Sequence, residues 1–252
     1  EDSDEGVRIE ALEALCELEP ATLAQHASAV VARLEDSDWE VRGAANETLE
    51  KLEPATLAQH AVAVIAMLEN SEENYLNAIR TLRELEPATL AQHAHTIVAM
   101  LENSDWNARS HALETLRHLE PATLAQHTHA IVAKLEDSEE RVRCMALETL
   151  GHLEPATLAL LAGAVIAMLE DDEGQVRSWA LKTLGKLDPA TLAQHADAVA
   201  ARLEDDKGDV RRMALLTLGK LVPATLAQHA SAIVAKIEDS GWDVRDAANE
   251  TL

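Results

Sequence analysis

Six histidines are the residues best suited to chemistry in this chain. His26, His60, His93, His127, His195 and His229 each close the phrase PATLAQH. Histidine titrates near neutral pH and ligates metals, so the row reads first as a proton relay, a metal site or a pH switch. The spacing argues against a metal site. Stacked helices lie roughly 8–10 Å apart, whereas ligands of one zinc must come within about 2 Å of it. His93 with His95, and His127 with His129, are two apart on a helix and face different ways. The row is therefore read as edge-of-core or inter-repeat hydrogen bonding, with a shared pH response below about 6.5. Leu160-Leu161 stands where the fifth phrase lacks Gln-His. Carboxylates cluster in a second row, Glu136-Asp137-Ser138-Glu139-Glu140, Glu170–Glu173 and Glu204–Asp206. Such clusters can hold calcium, but the spacing of a calcium loop with its glycine and distal glutamate is absent. Helix capping and solubility explain them better. No nucleophile motif or phosphate loop is present. The chain is read as non-enzymatic, with no cofactor and no metal.

The phrase PATLA begins at Pro20, Pro54, Pro87, Pro121, Pro155, Pro189 and Pro223. The step is 34 residues, with one of 33 between Pro54 and Pro87. A fixed period of this size signals a repeat array. Residues 1–19 align with the second half of a repeat, since Val7-Arg8 matches Val41-Arg42 and Leu18 matches Leu52. The chain thus reads as residues 1–252 of one array, opening on a half-repeat, and as a segment of something longer. Each repeat divides into two helices. Helix A starts on proline, whose missing N–H is harmless at that position. Leu23, Ala27, Val30, Val31 and Leu34 then form one apolar stripe. An acidic turn follows, and helix B carries the stripe Val41, Ala45, Leu49 and Leu52. Gly151, Gly185 and Gly219 sit where a stop signal belongs.

The pairing L-x-D-x-D-x-x-V-R-x-x-A-x-x-x-L, seen from Leu34 to Leu49 and again at 135–150, 169–184, 203–218 and 237–252, resembles the HEAT repeat, a helical hairpin related to the armadillo repeat. The resemblance implies an all-α, right-handed solenoid of about seven repeats after the leading half, working as a protein-interaction scaffold. It also implies a structural ladder between turn aspartates and helix-B arginines, here Asp36, Asp137, Asp171 and Asp205 with Arg42, Arg143, Arg177 and Arg211. Asn74-Tyr75 replaces Val-Arg, and Asn70 and Asn103 replace the turn aspartate, so the ladder is expected to weaken there.

Comparison of the repeats with one another locates a binding face. Helix A barely changes. Helix B varies at Arg141, Cys144, Met145, Glu148 and His152, which share one helical face. The most variable pairs include Gly43-Ala44, Leu76-Asn77, Ser110-His111 and Asp246-Ala247. His111, Arg141, Met145, Trp179, Arg212, Met213 and Leu216 are therefore the candidate partner-binding residues. They are expected on the concave side, where Trp, Met and Arg make a protein-binding composition. Trp39, Trp106 and Trp242, at the start of helix B, are expected to pack on the neighbouring turn.

The net charge of −24 opposes nucleic-acid and anionic-membrane binding and suits a basic protein or peptide partner. No apolar run nears the ~18 residues of a membrane span. Two cysteines far apart in the array fit a reducing, cytoplasmic compartment. Open ends, with Val7, Ala11 and Leu18 unpaired, make end-to-end self-association the alternative. An engineered, consensus-like array without a natural partner is compatible with repeats this similar, and recent natural duplication explains their identity equally well.

Overall fold

The computed structural model describes residues 4–70, 81–82 and 85–252, with side chains given outside 66–70. The departures read at Asn70, Asn74-Tyr75 and Leu76-Asn77 fall outside those side chains. Two compact units result, residues 1–123 and 124–252, and each is taken by itself. Both are all-α, and no strand occurs among the described residues.

The B helices are α1 (Glu5–Cys16), α2 (Trp39–Leu49) and α3 (Trp106–Leu116) in the first unit. In the second they are α4 (Glu140–Leu150), α5 (Gly174–Leu184), α6 (Gly208–Leu218) and α7 (Trp242–Thr251). Successive B helices pack directly, α1 on α2, and α4 on α5 on α6 on α7. The apolar stripe explains this. Leu23, Ala27, Val30 and Leu34 of the first helix A, with Val41, Ala45 and Leu49 of α2, are at most 1% exposed. The second unit repeats the scheme with Leu158, Ala162 and Val165 against Val176, Ala180 and Leu184. Each B helix from α2 to α7 buries one alanine fully, Ala45, Ala112, Ala146, Ala180, Ala214 and Ala248, and its small side chain lets neighbouring backbones approach.

Helix A is not one helix in most repeats. It breaks at Gln-His into two pieces, such as Pro20–Leu23 and Ala27–Val31, or Pro189–Ala193 and Ala196–Ala201. At the break His26, His93, His127, His195 and His229 hold φ between −104° and −118° with ψ near zero, the sparsely populated bridge region. Their carbonyls then start the second piece, as where the Ile97 N–H donates to the His93 carbonyl. Where Leu160-Leu161 replaces Gln-His, helix A runs unbroken from Pro155 to Ala167. The dipeptide thus marks a kink within the helix, a role that the apolar spacing does not disclose because the stripe continues across it.

The helix-B glycines also differ from expectation. No glycine has positive φ among the described residues, so Gly151, Gly185 and Gly219 are not left-handed stops. The helices end on right-handed turns, with Gly185 N–H bonded to the Leu181 carbonyl. At Gly185 the missing side chain makes room for a neighbour. A Cβ there would lie 3.0 Å from Lys220 Nζ, and that ammonium donates to the Gly185 carbonyl at 2.8 Å.

Candidate functional site

The turn between helices A and B is built around one arginine. Among the described turns the helix-B guanidinium donates through Nη1 to the carbonyl six residues before it, as from Arg143 to Asp137, Arg177 to Asp171 and Arg211 to Asp205 at 2.8–2.9 Å. Arg42 does the same to Asp36 and Arg245 to Asp239. The rest of the guanidinium reaches forward to the next turn. Arg143 pairs with Asp171 at 2.8 Å, Arg177 with Asp205 at 2.7 Å, and Arg211 with Asp239 at 2.8 Å. In the first unit Arg8 pairs with Asp36 at 3.0 Å. The aspartate meanwhile accepts the N–H two residues on, as Asp171 does from Glu173. Each carboxylate therefore joins two hairpins and shapes its own turn. Planar two-point pairing of this kind favours arginine over lysine.

The charges respond accordingly. A hydrogen bond from Arg211 holds the Asp239 carboxyl below the ordinary range. Burial alone would raise Asp36 and Asp205, but bonds from Asp38 N–H and Arg8, and from Arg177 and Lys207 N–H, outweigh it and lower both. Asn103 keeps the local shape without the charge. It accepts the Asp105 N–H at 2.9 Å, and its carbonyl takes Arg109 Nη1.

A second row escaped the sequence reading, although its signal was present as one threonine per repeat late in helix B, from Thr48 to Thr251. Thr48, Thr183, Thr217 and Thr251 donate to the carbonyls of Leu12, Leu147, Leu181 and Leu215 in the preceding B helix, at 2.9–3.3 Å. This row also accounts for a buried asparagine in an apolar stripe. Thr81 donates instead to the Asn46 side chain at 2.8 Å, and Asn46 donates to Glu50.

The variable helix-B residues occupy a different face. Trp179 on α5 is half-buried and lies between two clefts. One, about 390 Å3, is lined by Arg141, Cys144, Met145, Glu148 and Gln175. The other, about 210 Å3, is lined by Glu148, His152, Lys182 and Lys186. Lys182 Nζ sits 3.8 Å from the Trp179 ring centre, a cation–π contact. On α6 Met213 and Leu216 are half-buried and Arg212 is exposed. His111 lies in the first unit and is 5% exposed, its ring 3.4 Å from Glu114. Packing thus withdraws it from any exposed face. Cys144 is buried too, and burial, then Glu140, pushes its thiol up to about 12. Trp39 and Trp242, expected against neighbouring turns, are 70% and 73% exposed. The histidine row offers no cage. His26 is exposed, the others are half-buried, and His229 stands 3.9 Å from Asp197. No group of three or more metal-ligating side chains occurs among the described residues. Nor is any helix among them long and apolar enough to cross a membrane.

The HEAT-repeat family model matches residues 128–218 and 162–252. No curated protein matches the chain. Among solved structures, an engineered protein is similar at 14% identity and a TM-score of 0.61, over 99% of this chain and 75% of that one. A second engineered protein is similar at 12% identity and 0.53, over 90% and 94%. A mutant of Kap121p is similar at 14% identity and 0.73, over 99% of this chain and 32% of its own. These likenesses carry the fold across the whole length, and with the turn geometry and the family match from residue 128 onward they identify the chain as a HEAT-like helical repeat protein.

Proposed function

We propose that the chain is a non-catalytic scaffold that holds a protein or peptide segment on the helix-B face of α4–α6. Trp179, Met145, Met213 and Leu216 form its apolar centre, and Arg141 and Arg212 its rim. The observation that carries this reading is Trp179 standing half-buried between two open clefts. An aromatic anchor inside a polar rim is the usual composition of a binding hot spot. Both thiols are free, in keeping with a reducing, cytoplasmic setting. The test is selection of peptides from a displayed library on the wild-type chain. Trp179→Glu with Met213→Glu is expected to weaken the selected peptides about 100-fold and leave the helical circular dichroism unchanged. Peptides that bind the double variant as tightly as wild type overturn the reading.

A second reading is end-to-end stacking. Arg245 bonds its own turn through Nη1 and has no ion pair among the described residues, unlike Arg143, Arg177 and Arg211. Val234 and Leu252 of the same repeat are 49% and 60% exposed. In the first unit α1 and the first helix A enclose a cleft of about 350 Å3 lined by Ala11, Leu12, Leu15 and Val30. Light scattering across a wide concentration range decides. Mass that climbs with concentration, and does so less in Arg245→Ala, supports stacking. A constant monomer mass removes it.

A further inference from the structure

The chain carries 21 basic residues against 45 acidic ones, so cations should readily find carboxylates. In the second unit Arg143, Arg177 and Arg211 do so through the ladder. Besides the ladder, Arg202 meets Glu170 at 3.0 Å, Lys236 meets Glu204 at 2.8 Å, and Lys207 meets Asp206 at 3.2 Å. The helix-B face differs. Arg141, Lys182, Lys186, Arg212 and Lys220 are all exposed there. None has an ion pair among the described residues. Lys182 lies over Trp179, and Lys220 is spent on the Gly185 carbonyl. The acids lining the two clefts are Glu140 and Glu148, and the imidazole of His152 lines the cleft beside Lys186. At the 34-residue period Asp209 of α6 and Asp243 and Asp246 of α7 take the positions of the cleft residues Gln175 and Cys144 further along the array.

From this geometry we infer that the face around Trp179 receives an acidic peptide segment. Its carboxylates meet Lys182, Lys186 and Lys220, and an apolar side chain enters beside Trp179. The inference rests on the binding reading above and gives its partner a charge opposite to the one that the net charge of the chain suggests. Long-range steering follows total charge, but the sign of a docking site is set by the groups within a Debye length, about 10 Å at ordinary salt. Two ammonium groups held near one another support the assignment. Burial, then the charge of Lys186, disfavours the charged form of Lys220. An incoming carboxylate relieves that repulsion, whereas an incoming lysine adds to it. Surface ion pairs are weak singly, so the apolar contact supplies affinity and the cations supply selectivity.

The test uses the 252-residue chain and two fluorescein-labelled peptides with the same central Trp-Leu pair. One is flanked by glutamates and the other by lysines, and binding is read by anisotropy. The acidic peptide is expected to bind, to weaken at higher salt, and to weaken at least about tenfold in Lys182→Glu with Lys186→Glu and in Trp179→Ala. The lysine peptide is expected to bind at least about tenfold more weakly than the acidic one. A lysine peptide that binds as well or better, and needs Trp179, overturns the acidic assignment and leaves the binding face standing. Acidic binding indifferent to the two lysine reversals overturns it as well. If neither peptide binds in a Trp179-dependent way, the face itself is lost. Unchanged circular dichroism confirms that each variant is folded.

Discussion

Arg177→Ala is expected to lower the stability of the second unit by about 3 kcal/mol, read as a drop in the urea midpoint. The size follows from what remains after truncation. The Asp205 side chain is 4% exposed and paired with Arg177 at 2.7 Å. Removing the guanidinium leaves a buried carboxylate without its cation, and frees the Asp171 and Asp172 carbonyls that Arg177 held. Arg177→Lys keeps the charge but cannot bond two turns at once, so most of the loss should persist. The pH dependence separates this account from simple loss of packing. The folded Asp205 carboxyl lies below its ordinary range, because Arg177 and the Lys207 N–H outweigh burial. A depressed carboxylate contributes fully above the unfolded value, about pH 4, and its contribution is lost as pH falls through the folded value. The gap between wild type and Arg177→Ala should therefore be widest near neutrality and narrow below about pH 4. A gap constant with pH would show that the charge is irrelevant.

Leu181→Ala is expected to cost about 3 kcal/mol as well, within the range for buried leucines. Leu181 is fully buried on α5, and its carbonyl receives the Thr217 hydroxyl of α6 at 3.1 Å. The residue therefore serves two repeats, through side chain and backbone. Repeat arrays transmit such losses to their neighbours. Native-state hydrogen exchange should show faster opening in α5 and α6 together. Loss confined to α5 would mean that the threonine row does not couple the helices.

The repeat is legible in the amino-acid order alone, because one helical hairpin cannot bury its apolar stripe and must be written again for a neighbour to cover it. The stripes Leu23–Leu34 and Val41–Leu49 were legible as spacing, and so was the all-helical class. The bonds that tie repeats together depend on where a carbonyl or a guanidinium edge ends up, and that is settled by the packing of one hairpin on the next. Thr183 looks like an ordinary helical residue until α4 brings the Leu147 carbonyl within 2.9 Å. Asn46 is a polar residue in an apolar stripe, and only the fold sets Thr81 opposite it. The kink at Gln-His was hidden because an apolar stripe can continue through a broken helix. The face around Trp179 was only half legible. Variation among repeats marked its residues, but which of them remain exposed is a matter of packing, which buried His111 and Cys144 and left Lys182, Lys186 and Lys220 in solvent. Total charge is additive along the chain and readable from composition, whereas the sign of one face depends on which side chains the stacked helices turn outward together.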